Sequence, residues 1–338
     1  MRSLLGVNVP YFFGSYAHDL ARNPRFLDWP CDFDAMRVSG PLLEARALGL
    51  EAVRVWLCEG AEGLALDTQG RVTGVRPELL EAITVLEEAA VRAGIRVYWG
   101  LLDANSVHRD RDAITRSILE DRDQGARFAE HVAAAIAGRL DPRLAVGLEL
   151  LSEPETLTED CADARPAGGE ASIAWETIGH FLSNGKKAIE SANASLVVTA
   201  GSMPVFLPKL FSCGAGLDAI DVHVYHDNGG LPSRADLAGY ANDTRVLGPS
   251  FPLFAGECGI PKDPGPKEPL SLLNYLSNAD RCSYHAAFLW KLEGDLVEHA
   301  PKKIRRAWTA MGHEARALLA SRPAQGFLAA DLLASEGT

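Results

Sequence analysis

Short apolar runs alternate along this chain with longer stretches in which hydrophobic residues recur at helical spacing, and no sequence repeat underlies the alternation. The apolar or β-branched runs cover residues 4–11, 52–57, 96–102, 144–151, 196–202, 219–225, 252–257 and 286–292, and each predicts a strand. Between the second and third, Pro77 suits a first helical turn, Leu79, Ile83, Leu86 and Ala90 follow on one face, and Gly94 ends the pattern. Phe128, Val132 and Ile136 form a similar stripe before the fourth strand; Ile304, Trp308, Met311 and Leu318 form another after the eighth. Gly49 and Gly94 each stand just ahead of a strand, where helix-ending glycines belong.

Eight strands alternating with helices predict a single (β/α)8 barrel. A doubly wound sheet alternates in the same way, but its dinucleotide-binding form needs G-x-G-x-x-G directly after a strand, and none is found there. The long connections 14–31, 58–76, 156–170 and 227–232 then become βα loops on the face where barrel active sites are built. A length of 338 residues allows one domain or two. The strand count assigns 1–323 to the barrel and leaves 324–338 as a loosely held C-terminal tail.

Composition narrows the function classes. With 47% hydrophobic residues the chain buries a large core, and a formal charge of -12 without a basic cluster argues against a nucleic-acid partner. No apolar stretch reaches membrane-spanning length, so no membrane partner is expected. The N-terminus lacks a small-residue cleavage site, and the six cysteines are scattered without zinc spacing. Both features point to a cytoplasmic protein with free thiols.

The fourth strand runs into L-E-L-L-S-E-P and the seventh into L-F-A-G-E-C-G, which puts Glu153 and Glu257 at the C-terminal mouth of the barrel. Either glutamate alone would pass for a solvated loop carboxylate. Together, at corresponding strand ends, they suggest acid/base chemistry, because glycosidic cleavage needs a carboxylic acid at the leaving oxygen and a carboxylate across the sugar. The separation of the two groups decides between retention and inversion, and a sequence does not supply it.

On these residues the chain resembles glycoside hydrolase family 5, the cellulase-like family, and its clan A relatives, over nearly the whole barrel from G-V-N in strand one to Trp290. The resemblance implies that Glu153, in S-E-P, is the general acid/base and that Glu257, in G-E-C-G, is the nucleophile. It implies that Arg54 of V-R-V-W-L hydrogen-bonds the nucleophile. It also implies that His223 of H-V-Y helps hold the catalytic region and the substrate, that Tyr225 sits near the nucleophile and stabilises its charge, and that Trp290 is the platform under the sugar. Two departures stand out: Ser152 occupies a position the family gives to Asn, a donor to the sugar 2-hydroxyl, and Asp103 and Asn105 lie where many relatives use His.

The polar stripe Asp221, His223 and Tyr225 is too long for an apolar barrel core, which favours the site over packing. Trp56 and Trp99 are open between packing and sugar stacking, whereas Cys58 and Cys258 read as small buried hydrophobes. His226 and Asp227 read as rim residues. His223 and His226 are three apart on an extended segment, so they face opposite ways, and no metal and no cofactor are expected. The expected function is a retaining hydrolase of β-glycosidic bonds in an oligosaccharide or small glycoside, with Glu153 holding a proton near or above the working pH before attack. The alternative, prompted by Ser152, is a catalytically weakened or non-catalytic barrel that binds carbohydrate.

Overall fold

The computed structural model describes residues 2–14, 16–161, 172–225, 230–241, 248, 250–259, 272–299, 307–320 and 322. The tail 324–338, His226, Asp227 and Ile304 lie outside them. All eight expected strands form: β1 (Leu4–Asn8), β2 (Ala52–Trp56), β5 (Arg96–Asp103), β6 (Ala145–Ser152), β7 (Val198–Ser202), β8 (Ile220–Val224), β9 (Leu253–Cys258) and β10 (Ala286–Leu289). They close into a parallel barrel in sequence order, with β10 returning to β1. Inside the long loop after β2 sits an antiparallel hairpin, β3 (Leu64–Leu66) and β4 (Val72–Val75), that periodicity does not predict.

The helical signals hold where both ends are marked. The helix Pro77–Ala93 buries Leu79, Ile83, Leu86 and Ala90 and stops at Gly94, whose φ of 64° is a conformation glycine adopts without penalty. Phe128, Val132 and Ile136 are buried along 122–139, where a π turn at Ala129–Ala133 interrupts the helix. The last stripe is shorter than its spacing predicts: Trp308 precedes the helix Ala310–Leu319 and bridges instead to Val297.

Two apolar layers sandwich the strands. The outer one packs strand residues against the helices, and the inner one plugs the barrel with Tyr98, Phe254 and Phe288 among Ala52, Ala219 and Ala286. Tyr98 stacks on Phe288 at 5.2 Å and meets Phe254 edge-on at 5.6 Å. The plug needs Gly6, where a Cβ would lie 2.5 Å from the Phe288 ring. Each large ring buried this way stabilises the fold by about 1.5–3 kcal/mol and leaves the polar strand ends above it as the floor of the mouth.

Two register shifts shape that floor. Relative to both neighbours, β9 carries an extra residue just before Glu257, and β6 slips by one against β7 between Glu149 and Ser152. An extra residue re-aims the side chains that follow it. Both strands that end in a candidate catalytic glutamate are irregular in this way.

Candidate active site

Arg54, on β2, is the centre of the site and is 1% exposed. Its Nε and Nη2 donate to Glu149 Oε2 at 3.0 and 2.6 Å, and its Nη1 donates to Glu257 Oε1 at 2.7 Å and to Asn8 Oδ1 at 2.8 Å. Its guanidinium lies 4.3 Å over the Trp56 ring. Burial alone would weaken its hold on its proton, but the carboxylates of Glu149 and Glu257 overcome that and push its pKa further up. Glu51, close to Arg54 in sequence, pairs with Arg2 instead.

Glu257 receives a second donor, the Tyr225 hydroxyl, at 2.7 Å on Oε2. Burial, then the charge of Glu257, raises the Tyr225 pKa, so the phenol keeps its proton. Both oxygens of the nucleophile candidate are therefore held, one by a cation and one by a hydroxyl. Behind it, Asn8 Nδ2 donates to the Gly256 carbonyl at 3.0 Å, and Gly256 N–H donates to Asp221 Oδ1 at 2.6 Å. A Cβ on Gly256 would stand 2.6 Å from that oxygen.

Glu153 follows the end of β6 with a left-handed backbone, φ 50° and ψ 50°, a conformation that costs a non-glycine residue energy and turns its side chain toward the mouth. Its Oε1 lies 3.1 Å from His223 Nδ1, and its Oε2 accepts from Asn105 Nδ2 at 2.7 Å. Burial works to raise its pKa, but the hydrogen bond and charge of His223 and the bond from Asn105 outweigh it and hold the carboxyl at about 2. His223 moves the other way. Burial lowers its pKa, the charge of Glu257 and the bond to Glu153 raise it, and it ends at about 10. The proton of this pair thus rests on the imidazole, which corrects the expectation that Glu153 holds its own proton in the free protein.

Three supporting assignments change. His223 is 1% exposed, so it supports Glu153 rather than reaching a substrate. Asn105 also supports Glu153. Asp103 caps the helix Ala104–Asp110 by accepting from Asn105 N–H at 3.0 Å, and burial followed by the charge of Glu153 pushes its pKa up to about 7. Ser152 is 1% exposed, with its hydroxyl 3.4 Å from Arg54 Nη2. Trp290 is half-buried at the end of β10 beside Tyr225; a Cβ on Gly259 would lie 3.4 Å from the Tyr225 ring and 3.6 Å from Trp290 Cβ. Trp56 and Trp99 are buried packing, and Cys58 and Cys258 are buried as small hydrophobes.

An oxygen of Glu153, an oxygen of Glu257 and a ring nitrogen of His223 all lie within 4.8 Å of one another, and Glu149, Asp221 and His223 form a second such group. Both sets have donors a metal could use, but the cations they face are the Arg54 guanidinium and the protonated imidazole.

Comparison with known proteins agrees on architecture. No family model matches the sequence, and no curated protein matches it. Among solved structures, an endo-1,4-β-mannanase from Eisenia fetida superposes with a TM-score of 0.69 at 17% identity over 96% of this chain and 92% of its own. At this identity the likeness shows the fold, a (β/α)8 barrel. The same likeness in fold extends to the β-mannanase of the blue mussel Mytilus edulis (TM-score 0.70, 18% identity, 96% and 93% covered). It also extends to a family-5, subfamily-18 protein of Streptomyces cattleya solved with Manβ1-4GlcNAc (0.64, 19%, 95% and 82%).

Proposed function

We propose that this protein is a retaining β-glycoside hydrolase and that its substrates are β-mannosides. One observation carries the mechanistic part: oxygens of Glu153 and Glu257 lie within 4.8 Å of each other. Retaining pairs stand about 5–5.5 Å apart, whereas inverting pairs leave about 6.5–9.5 Å for a water. The mannose part draws on the solved mannanases and the mannoside-bound protein that share this fold.

In the first step Glu257 Oε attacks the anomeric carbon, the bond to the leaving oxygen breaks, and Glu153 delivers a proton to that oxygen. That proton starts on His223 Nδ1 and crosses the 3.1 Å hydrogen bond to Glu153 as the substrate docks. Arg54 and Tyr225 orient Glu257 for attack and accept it back as a carboxylate when the intermediate is hydrolysed. In the second step Glu153 takes a proton from water, the hydroxyl attacks the anomeric carbon, and the ester to Glu257 breaks.

The test is a panel of 2-fluoro-glycosides with activated leaving groups, read by peptide mass spectrometry. The manno reagent should label Glu257, and Glu153→Ala should be rescued by azide on activated mannosides. Labelling by the gluco or galacto reagent alone would remove the mannose assignment. No label from any reagent, alongside measurable sugar binding, would favour the non-catalytic barrel that Ser152 suggests.

A further inference from the structure

Glu149 is fully buried at the level of Arg54, and no step above uses it. Its Oε2 accepts both Arg54 bonds, while its Oε1 accepts the Gly201 N–H at 3.1 Å and lies 3.8 Å from His223 Nε2. That ring nitrogen is buried and has no hydrogen-bond partner, although the opposite one meets Glu153. The imidazole is thus suspended between two carboxylates, Glu149 within β6 inside the barrel and Glu153 just past its end at the mouth.

Gly201 makes this possible. A Cβ there would fall 2.3 Å from His223 Nε2 and 2.4 Å from Glu149 Oε1, in the gap between the two groups. The same residue holds both carboxylates by its backbone: its N–H donates to Glu149, and its carbonyl accepts from Glu153 N–H at 2.8 Å.

We propose that Glu149 is a positioning residue of this site: across the gap left by Gly201 it fixes the His223 ring so that the Nδ1 proton is directed at Glu153. In a protonated imidazole both nitrogens carry hydrogen, and a carboxylate facing Nε2 stabilises that form and selects the ring orientation. The other groups facing His223 are Glu153 and Glu257, at 3.1 and 4.0 Å from Nδ1, and Arg54, whose like charge opposes the proton. Asp221, on β8 like His223, has an oxygen within 4.8 Å of a ring nitrogen of His223 and also acts on Glu149, but it is engaged by Tyr98 and Gly256. Glu149 is therefore the one carboxylate within 4.0 Å of the inner nitrogen among the described residues.

The inference rests on the reading of Glu153 as the acid/base, yet its test does not require turnover. Full-length protein with 15N-labelled histidine is titrated by NMR as wild type, Glu149→Gln, Glu149→Asp and Gly201→Ala, with folding checked by circular dichroism. Glu149→Gln should weaken the hold of His223 on its proton by about tenfold or more, one pKa unit. Glu149→Asp, which keeps the charge but draws it back, should fall between. Gly201→Ala, which keeps the Glu149 carboxylate but forces it and the His223 ring apart, should match the glutamine variant, and in both the alkaline limb of kcat should move to lower pH with KM unchanged. An unaltered His223 titration in whichever of these variants folds would overturn the proposal. A wild type without glycosidase activity would instead overturn the functional reading and leave the titration to decide this one.

Discussion

Replacing Arg54 by Met tests whether the site is built around a charge that the fold cannot do without. The guanidinium is completely enclosed and joins Glu149, Glu257 and Asn8 through bonds of 2.6–3.0 Å. Methionine fills much of the volume and still packs on Trp56, so the loss is electrostatic more than steric. Removing one partner of a buried ion pair leaves the other charged in a medium that solvates it poorly, at about 3–5 kcal/mol. For a chain of 338 residues the unfolding entropy is about 0.7 kcal/mol/K, so a loss near 4 kcal/mol lowers Tm by roughly 6 °C. Glu149, whose burial already raises its pKa, escapes the penalty by taking up a proton, so the deficit should be larger at pH 8 than at pH 5. Differential scanning calorimetry at the two pH values measures both terms. A double variant, Arg54→Met with Glu149→Gln, should recover part of the loss, because the stranded charge is gone. A single-variant loss below about 1 kcal/mol, or one equal at both pH values with no recovery in the double variant, would refute the buried-charge argument.

What the sequence disclosed and what it concealed divide along physical lines. Strand number, strand order and the positions of Glu153, Glu257, Arg54 and Tyr225 follow from hydrophobic runs and from which polar residue ends each run. Glu149 was equally visible as a charge inside the apolar run of β6, but its direction was not. Strict alternation cannot bring both Glu149 and Ser152 to Arg54, and only the slip against β7 does so. The pairing of Asn8 with Arg54 and of Gly201 with Ser152 depends on lateral register around a closed sheet, which no local pattern encodes. That His223 and Asn105 hold Glu153 rather than meet substrate is hidden for a related reason: burial, not residue type, separates a group that meets substrate from one that holds the group that does. The hairpin of β3 and β4, which periodicity does not predict, carries its signal in turn chemistry instead. The turn around D-T-Q-G has Gly70 at φ 76°, and Asp67 accepts from the N–H groups of Gln69 and Arg71.

Three further outcomes are expected. Ser152→Asn should raise kcat/KM about tenfold, some 1.4 kcal/mol, on glycosides with a 2-hydroxyl and not on 2-deoxy analogues, since the short serine hydroxyl is turned into the protein toward Arg54; a fall on both would mean serine is fitted to the substrate. Glu155→Ala should cost about 1–3 kcal/mol in urea denaturation, because the fully buried carboxylate accepts from Met203 N–H at 2.7 Å and Ser202 Oγ at 2.9 Å, and an unchanged midpoint would show that bridge to be idle. The third outcome concerns pH. His223 keeps its proton to about 10 in the folded protein against 6.5 ordinarily, so its stabilisation is complete below 6.5 and lost as pH rises toward 10, with a slope of at most about 1.4 kcal/mol per pH unit. Glu153, held at about 2 against 4.5, contributes above 4.5 and loses its contribution as pH falls toward 2. Denaturation of wild type and His223→Asn across pH 3–10 should therefore differ most between 4.5 and 6.5 and converge toward both ends. A difference independent of pH would mean that the imidazole serves only to fill space, and the proton assigned to the His223–Glu153 pair would have to reside elsewhere.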